Sequence, residues 1–107
     1  MDDLQISPKA VSERIARGDN LLLVDVREQW EYDLCRIPGA KLIPLGTLPA
    51  TLNAFLDARE VICYCHHGMR SLDAVVWLRQ QGVENAKSMA GGIERWSTEI
   101  DPKVPRY

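Results

Sequence analysis

Two unbroken apolar runs organise the chain, Leu21-Leu22-Leu23-Val24 and Val61-Ile62-Cys63-Tyr64. Neither alternates with polar residues, so each predicts a strand covered on both faces, as in a parallel sheet packed between helices. Weaker strand signals lie at Leu4-Gln5-Ile6, at Lys41-Leu42-Ile43 and over residues 86–89. Between the strands the apolar spacing turns helical. Ala10, Val11, Ile15 and Ala16 follow Ser7-Pro8, an N-cap with proline in the first turn, and Gly18 closes that helix. Residues 45–58 carry a looser helical pattern through Leu48, Leu52, Phe55 and Leu56, interrupted by Pro49. Leu72, Val75, Val76 and Arg79 predict one face of a further helix that ends at Gly82. Gly91-Gly92 opens a short last helix through Trp96, and an irregular tail begins at Asp101.

Strands alternating with helices predict an α/β class, a three-layer α/β/α sandwich around a mainly parallel sheet, with residues 1–107 forming one domain. In such sheets ligands bind beyond the carboxyl ends of the strands. Two polar clusters fall there. Asp25-Val26-Arg27 follows one apolar run, and Cys65-His66-His67-Gly68-Met69-Arg70 follows the other.

Composition narrows the classes of function. Hydrophobic residues at 46% and charged residues at 26% suit a globular chain with a packed core. A formal charge of −2 argues against general nucleic-acid binding, which needs a basic excess. No apolar run is long enough to span a bilayer, and Met1-Asp2-Asp3 is unlike a secretion signal. Three cysteines do not suggest a disulfide framework, so a reduced, cytoplasmic setting with a free thiol is expected.

Cys65 stands where a strand gives way to a helix. The first N–H groups of a helix lack internal partners and make that end electropositive. A loop curling over the sulfur aims such groups at it, and Gly68 permits the positive φ of a tight curl. Arg70 adds a permanent charge and a fork suited to an oxyanion. Cysteines so placed have pKa values of roughly 3.5 to 7.5 and act as nucleophiles. The competing reading is a small buried apolar residue, which suits Cys63 better. Gly68, Arg70 and Ser71 beside Cys65 favour the reactive thiol. A metal site is disfavoured. Cys63, Cys65, His66 and His67 cannot easily converge while the first two occupy a strand, and no distant second pair is present.

These stretches resemble the rhodanese-like sulfurtransferases. The likeness rests on Asp25-Val26-Arg27-Glu28 with Glu31-Tyr32 and Ile37-Pro38-Gly39-Ala40, on Cys65-His66-His67-Gly68-Met69-Arg70-Ser71, and on Gly91-Gly92-Ile93-Glu94-Arg95-Trp96. The resemblance implies a central sheet of about five strands and no metal or organic cofactor. It implies that Cys65 takes sulfur from a thiosulfate-like donor as a persulfide. The acceptor would be cyanide, a thiol or a sulfur-carrier protein. The amides of His66, His67, Gly68, Met69 and Arg70, with the Arg70 side chain, would cradle the anion. Asp25, Arg27 and Ser71 would support the site.

Phosphatases and arsenate reductases of the same fold are the nearest rival, and they carry five residues between cysteine and arginine. Here there are four. A catalytically silent interaction module is the alternative from another class, though such domains usually lose the cysteine. One departure is Cys35-Arg36, where many relatives have Gly-His before Ile-Pro-Gly-Ala. We read Cys35 as structural, with a disulfide to Cys65 left open. The tail from Glu99 to Tyr107 resembles the ending of rhodanese domains fused behind adenylyltransferases that feed sulfur-carrier proteins.

Overall fold

In the computed structural model, residues 4–57 and 60–107 are described. The acidic opening at residues 1–3, and Ala58 at the end of the loosely helical stretch, lie outside them. The strands are β1 (Gln5–Ile6), β2 (Leu22–Asp25), β3 (Lys41–Leu42), β4 (Val61–Tyr64) and β5 (Ala86–Met89). The helices are α1 (Pro8–Ala16), α2 (Gln29–Leu34), α3 (Asn53–Leu56), α4 (Met69–Gln80) and α5 (Gly92–Glu99). The five strands form one sheet in the order β1-β5-β4-β2-β3, and every pairing is parallel. No helix among the described residues is long and apolar enough to cross a membrane.

Side chains in a strand alternate between faces, so each covered strand feeds two cores. Val61, Cys63 and Cys65 join Val24, Phe55, Ala74, Val75 and Leu78 on the α4 side. Ile62 and Tyr64 join Val11, Met89, Ile93 and Trp96 on the side of α1 and α5. The three layers follow directly: helix, sheet, helix. Burying the Val, Leu, Ile, Phe and Met side chains among them contributes roughly 1.5–3 kcal/mol each before the entropy of ordering them is subtracted.

Most boundaries follow local chemistry. Ser7 accepts a hydrogen bond from the Ala10 amide at 3.1 Å, and Pro8 occupies the first turn of α1. Three features depart from the sequence pattern. The pattern predicts no helix over 29–34, where α2 forms under a capping box between Glu28 and Glu31. Residues 45–57 break into two single 3-10 turns, Leu45–Thr47 and Pro49–Thr51, ahead of α3. The inward face of α4 is Ser71, Ala74, Val75 and Leu78, whereas Val76 is exposed. Positions 71, 74, 75 and 78 keep the i, i+3, i+4, i+7 spacing of one helical face.

Candidate active site

The carboxyl ends of β2 and β4 lie side by side, with Asp25 in register with Tyr64. The residues that follow each strand therefore leave the sheet as neighbours, which brings Arg27 and Cys65 to one edge. Both of the polar clusters expected at that edge are there.

Cys65 continues the alternation of β4 and turns its side chain toward α4. Its Sγ accepts the Gly68 amide at 3.1 Å and the Ser71 amide at 3.3 Å. Those two amides cap the sulfur at the amino end of α4, where the helix dipole favours negative charge. The turn requires Gly68, whose φ is +107°. A Cβ there would also meet the Gly91 amide nitrogen at 3.2 Å.

The outer side of the loop is held by α5. The Ile93 amide donates to the Cys65 carbonyl at 2.8 Å, and the Glu94 amide donates to the His66 carbonyl at 3.1 Å. With their carbonyls gripped from outside, these peptides cannot turn over, which fixes the path of the loop around the sulfur. Gly92 makes the close approach possible. Its φ is +62°, and a Cβ would stand 2.4 Å from both carbonyl oxygens. The Gly91-Gly92 pair thus has a packing reason at the site as well as opening a helix.

Arg70 leaves α4 toward α2. Its guanidinium holds the Glu31 carboxylate in a fork, with contacts of 2.7 and 2.9 Å. Glu31 is buried and also accepts the Tyr107 hydroxyl at 2.7 Å and the Glu28 amide at 2.9 Å. The Arg70 fork, followed by these two donors, holds the Glu31 carboxyl down at about 2 against the desolvation that opposes it. A guanidinium carries five N–H groups, and a carboxylate across its two terminal nitrogens leaves the Nε side free for an anion.

Asp25 and Arg27 form a fully buried ion pair, with Arg27 Nε and Nη2 at 2.8 and 2.6 Å from the carboxylate. The remaining donors of Arg27 reach the Cys35 carbonyl at 2.6 Å and the Tyr107 hydroxyl at 2.9 Å. These contacts make the pair a brace between β2, the end of α2 and the tail.

His66 is half-buried and His67 exposed. The His66 ring stacks between His67 and Tyr107, with centroids 3.9 Å away on each side. Burial, then the charge of His67, lowers the His66 pKa from its ordinary value. With Glu94, the two histidines place three potential metal-ligand atoms within 4.8 Å of one another. The rings are stacked within 22°, so their in-plane lone pairs run side by side rather than converging on one ion. Glu94 is already paired with Arg106.

All three cysteines are free, so the structure holds no link between Cys35 and Cys65. Cys63 is fully buried in the apolar core, and desolvation pushes its thiol up to about 12. It stays protonated and inert near neutral pH.

Sequence reasoning singled out Cys65, His66, His67, Gly68, Met69, Arg70, Ser71, Asp25 and Arg27. The fold brings them to one sheet edge, but among the described residues the amides on the sulfur are those of Gly68 and Ser71 rather than the whole run from His66 to Arg70. Sequence reasoning gave no role at the site to Glu31, Ser88, Gly92 or Tyr107. Glu31 and Gly92 sit inside stretches that carried the family likeness. Nothing local to Ser88 or Tyr107 marks them, because their partners lie 17 and 76 residues away.

Residues 7–99 match the rhodanese-like domain. The chain is 33% identical to a sulfurtransferase of Allochromatium vinosum over 94% of both chains. It is 29% identical to the adenylyltransferase and sulfurtransferase MOCS3 of Arabidopsis thaliana, over 96% of this chain but only 26% of that protein. Its fold superposes on the human single-domain sulfurtransferase TSTD1 with a TM-score of 0.82 and 27% identity. That match covers 92% of this chain and 98% of the other.

Proposed function

The chain belongs to the rhodanese-like family of sulfurtransferases, and from that premise we propose that Cys65 carries sulfur as an enzyme-bound persulfide. The observation that carries this reading is the Cys65 sulfur under the amides of Gly68 and Ser71, at the amino end of α4. That is a setting for a sulfur that bears charge.

In the first half-reaction the Cys65 thiolate attacks the outer sulfur of thiosulfate. The sulfur–sulfur bond of the donor breaks, sulfite leaves with the electron pair, and Cys65 becomes a persulfide anion. In the second, an acceptor attacks the outer sulfur and Cys65 departs as the thiolate. Cyanide would leave as thiocyanate, and a thiol would leave as its own persulfide. No redox partner is consumed, and the scheme is a double displacement. The open Nε side of Arg70 supplies charge for the incoming dianion. The Asp25–Arg27 pair keeps the sheet edge fixed beneath it.

The four-residue spacing between Cys65 and Arg70 supports sulfur over phosphate as the group transferred. The likeness to the putative sulfur carrier protein YrkF of Bacillus subtilis, 31% identical over 91% of this chain and 52% of that protein, supports a sulfur-carrier protein as acceptor in the cell.

The test is intact-mass measurement after incubation with thiosulfate. Wild type is expected to gain one sulfur atom that a thiol reductant removes, and Cys65→Ser to gain none. A wild-type protein that stays unmodified and shows no thiosulfate:cyanide activity would overturn the reading in favour of an interaction module. Turnover of an aryl phosphate would overturn it in favour of a phosphatase. Discharge of the loaded protein to a carrier-protein thiocarboxylate or adenylate tests the acceptor.

A further inference from the structure

Beside the buried Cys65 sulfur stand two serine hydroxyls. Ser71 and Ser88 are both fully buried, and their oxygens are 2.7 Å apart. Ser88 lies in β5 beside Cys63 of β4, so its side chain shares the face that Cys65 turns toward α4. The Ser71 oxygen is 3.5 Å from Cys65 Sγ and 3.3 Å from the Gly68 carbonyl. Among the described residues, Ser71 is the one recorded partner of the Ser88 hydroxyl.

A strand position facing an apolar helix layer has no need of a hydroxyl, and burying one without a partner is destabilising. The partner here is the serine that touches the candidate nucleophile. We infer that Ser88 is a positioning residue that stabilises the Cys65 thiolate through Ser71. The inference rests on the reading of Cys65 as the sulfur-carrying nucleophile.

Each hydroxyl has one proton to give. With Cys65 as a neutral thiol, its S–H donates to the Ser71 oxygen, and the Ser71 proton turns to Ser88 or to the Gly68 carbonyl. With Cys65 as a thiolate, the best arrangement is the reverse. Ser88 donates to Ser71, and Ser71 donates to the sulfur. Ser88 then occupies a Ser71 lone pair and ceases to be an acceptor. What remains is a choice between the neutral Gly68 carbonyl, which already accepts the Leu72 amide at 3.1 Å, and an anion. The anion wins, because hydrogen bonds to ionised acceptors are about twice as strong. The two hydroxyls align toward the sulfur only when it is charged, and each strengthens the other.

On the persulfide reading, charge sits on Sγ when Cys65 attacks the donor and again when it departs in the second half-reaction. In the persulfide the charge has moved to the outer sulfur. The serine pair therefore favours the thiolate as leaving group more than it favours loading. Nucleophilicity follows thiol basicity only partly, whereas a more stable thiolate leaves faster.

The experiment measures the rate of Cys65 alkylation by iodoacetamide against pH, located by peptide mapping, in wild type, Ser71→Ala, Ser88→Ala and the double variant. Ser71→Ala should raise the pH midpoint by about one unit, a roughly ten-fold loss of reactivity on the acid side. Ser88→Ala should raise it by about half a unit, roughly three-fold, with the plateau at high pH unchanged. The double variant should match Ser71→Ala alone, since Ser88 acts through Ser71. Ser88→Cys, which keeps a weak donor, should recover part of the shift. It also replaces Ser88→Ala if that variant does not fold.

A Ser88 variant that folds with the wild-type midpoint overturns the inference. Additive shifts in the double variant also overturn it, because they would mean that Ser88 acts independently of Ser71. Alkylation does not depend on sulfur transfer. Shifted midpoints in a protein that takes up no sulfur from thiosulfate would therefore sink the persulfide reading and leave the serine pair standing.

Discussion

The ends of β2 and β4 are neighbours in the sheet and solve opposite problems. At the end of β2 a full positive charge is buried and completely spoken for. Arg27 is satisfied by Asp25, the Cys35 carbonyl and the Tyr107 hydroxyl, and it is 0% exposed. At the end of β4 the sulfur is met by neutral dipoles, two amides and a hydroxyl. A fixed charge pair cannot follow a reaction in which charge comes and goes, whereas dipoles and rotatable hydroxyls can. The contrast is between a scaffold built from permanent charge and a candidate site built from groups that can adapt to charge.

The largest effect should come from breaking the scaffold. Arg27→Ala leaves the Asp25 carboxylate buried without its partner, and is expected to cost about 3–5 kcal/mol of stability. Replacing both residues together, Asp25→Asn with Arg27→Met, should cost less than the single change, because no orphan charge remains. Urea unfolding of the three proteins decides it. A double variant less stable than Arg27→Ala would show that the pair is not an electrostatic unit. Cys65→Ser, in contrast, should lie close to wild type.

The ease with which these two strand ends can be read from sequence differs for the same reason. The Cys65 loop is legible because its parts are contiguous: a strand-like run, a cysteine, a glycine and an arginine within ten residues. The parallel sheet is legible because strands covered on both faces show unbroken apolar runs. The helix α2 is not, since it spans six residues, exposes Trp30 and Leu34, and turns mainly Glu31 inward. An inward carboxylate looks like a surface residue until its partner is known. Arg70 lies 39 residues away. Val76 shows the converse, an apolar side chain on α4 that faces outward. Tyr107 and Ser88 owe their roles to tertiary neighbours, which no local pattern announces.

Acid sharpens the comparison at an intermediate size. Glu31 has its pKa lowered to about 2 in the folded protein, first by Arg70, against an ordinary value of 4.5. Its stabilisation is therefore fully present above about pH 4.5 and is lost as pH falls toward 2. Arg70 is more than one-third exposed, so water screens the pair, and the loss should be on the order of 2 kcal/mol. Glu31→Gln should flatten that part of the stability profile. An equal acid slope in both proteins would assign the loss to other carboxylates.

The smallest effect concerns Tyr107, which belongs to both regions. Its hydroxyl accepts from Arg27 and donates to Glu31, while its ring stacks on His66 of the loop. Two substitutions separate these roles. Tyr107→Phe removes the hydroxyl bridge and keeps the stack, so it should cost about 1 kcal/mol. The His66 titration, followed by NMR, should then stay below its ordinary value. Tyr107→Ala also uncovers His66. Burial is the leading reason that His66 titrates low, so its pKa should rise toward the ordinary 6.5. If Tyr107→Phe moved the His66 titration as far as Tyr107→Ala does, the control would lie in the hydrogen-bonded network rather than in the stacked ring. The scaffold and the loop would then be one electrostatic system. If only Tyr107→Ala moves it, the scaffold reaches the loop by packing, and the sulfur keeps its own local set of dipoles.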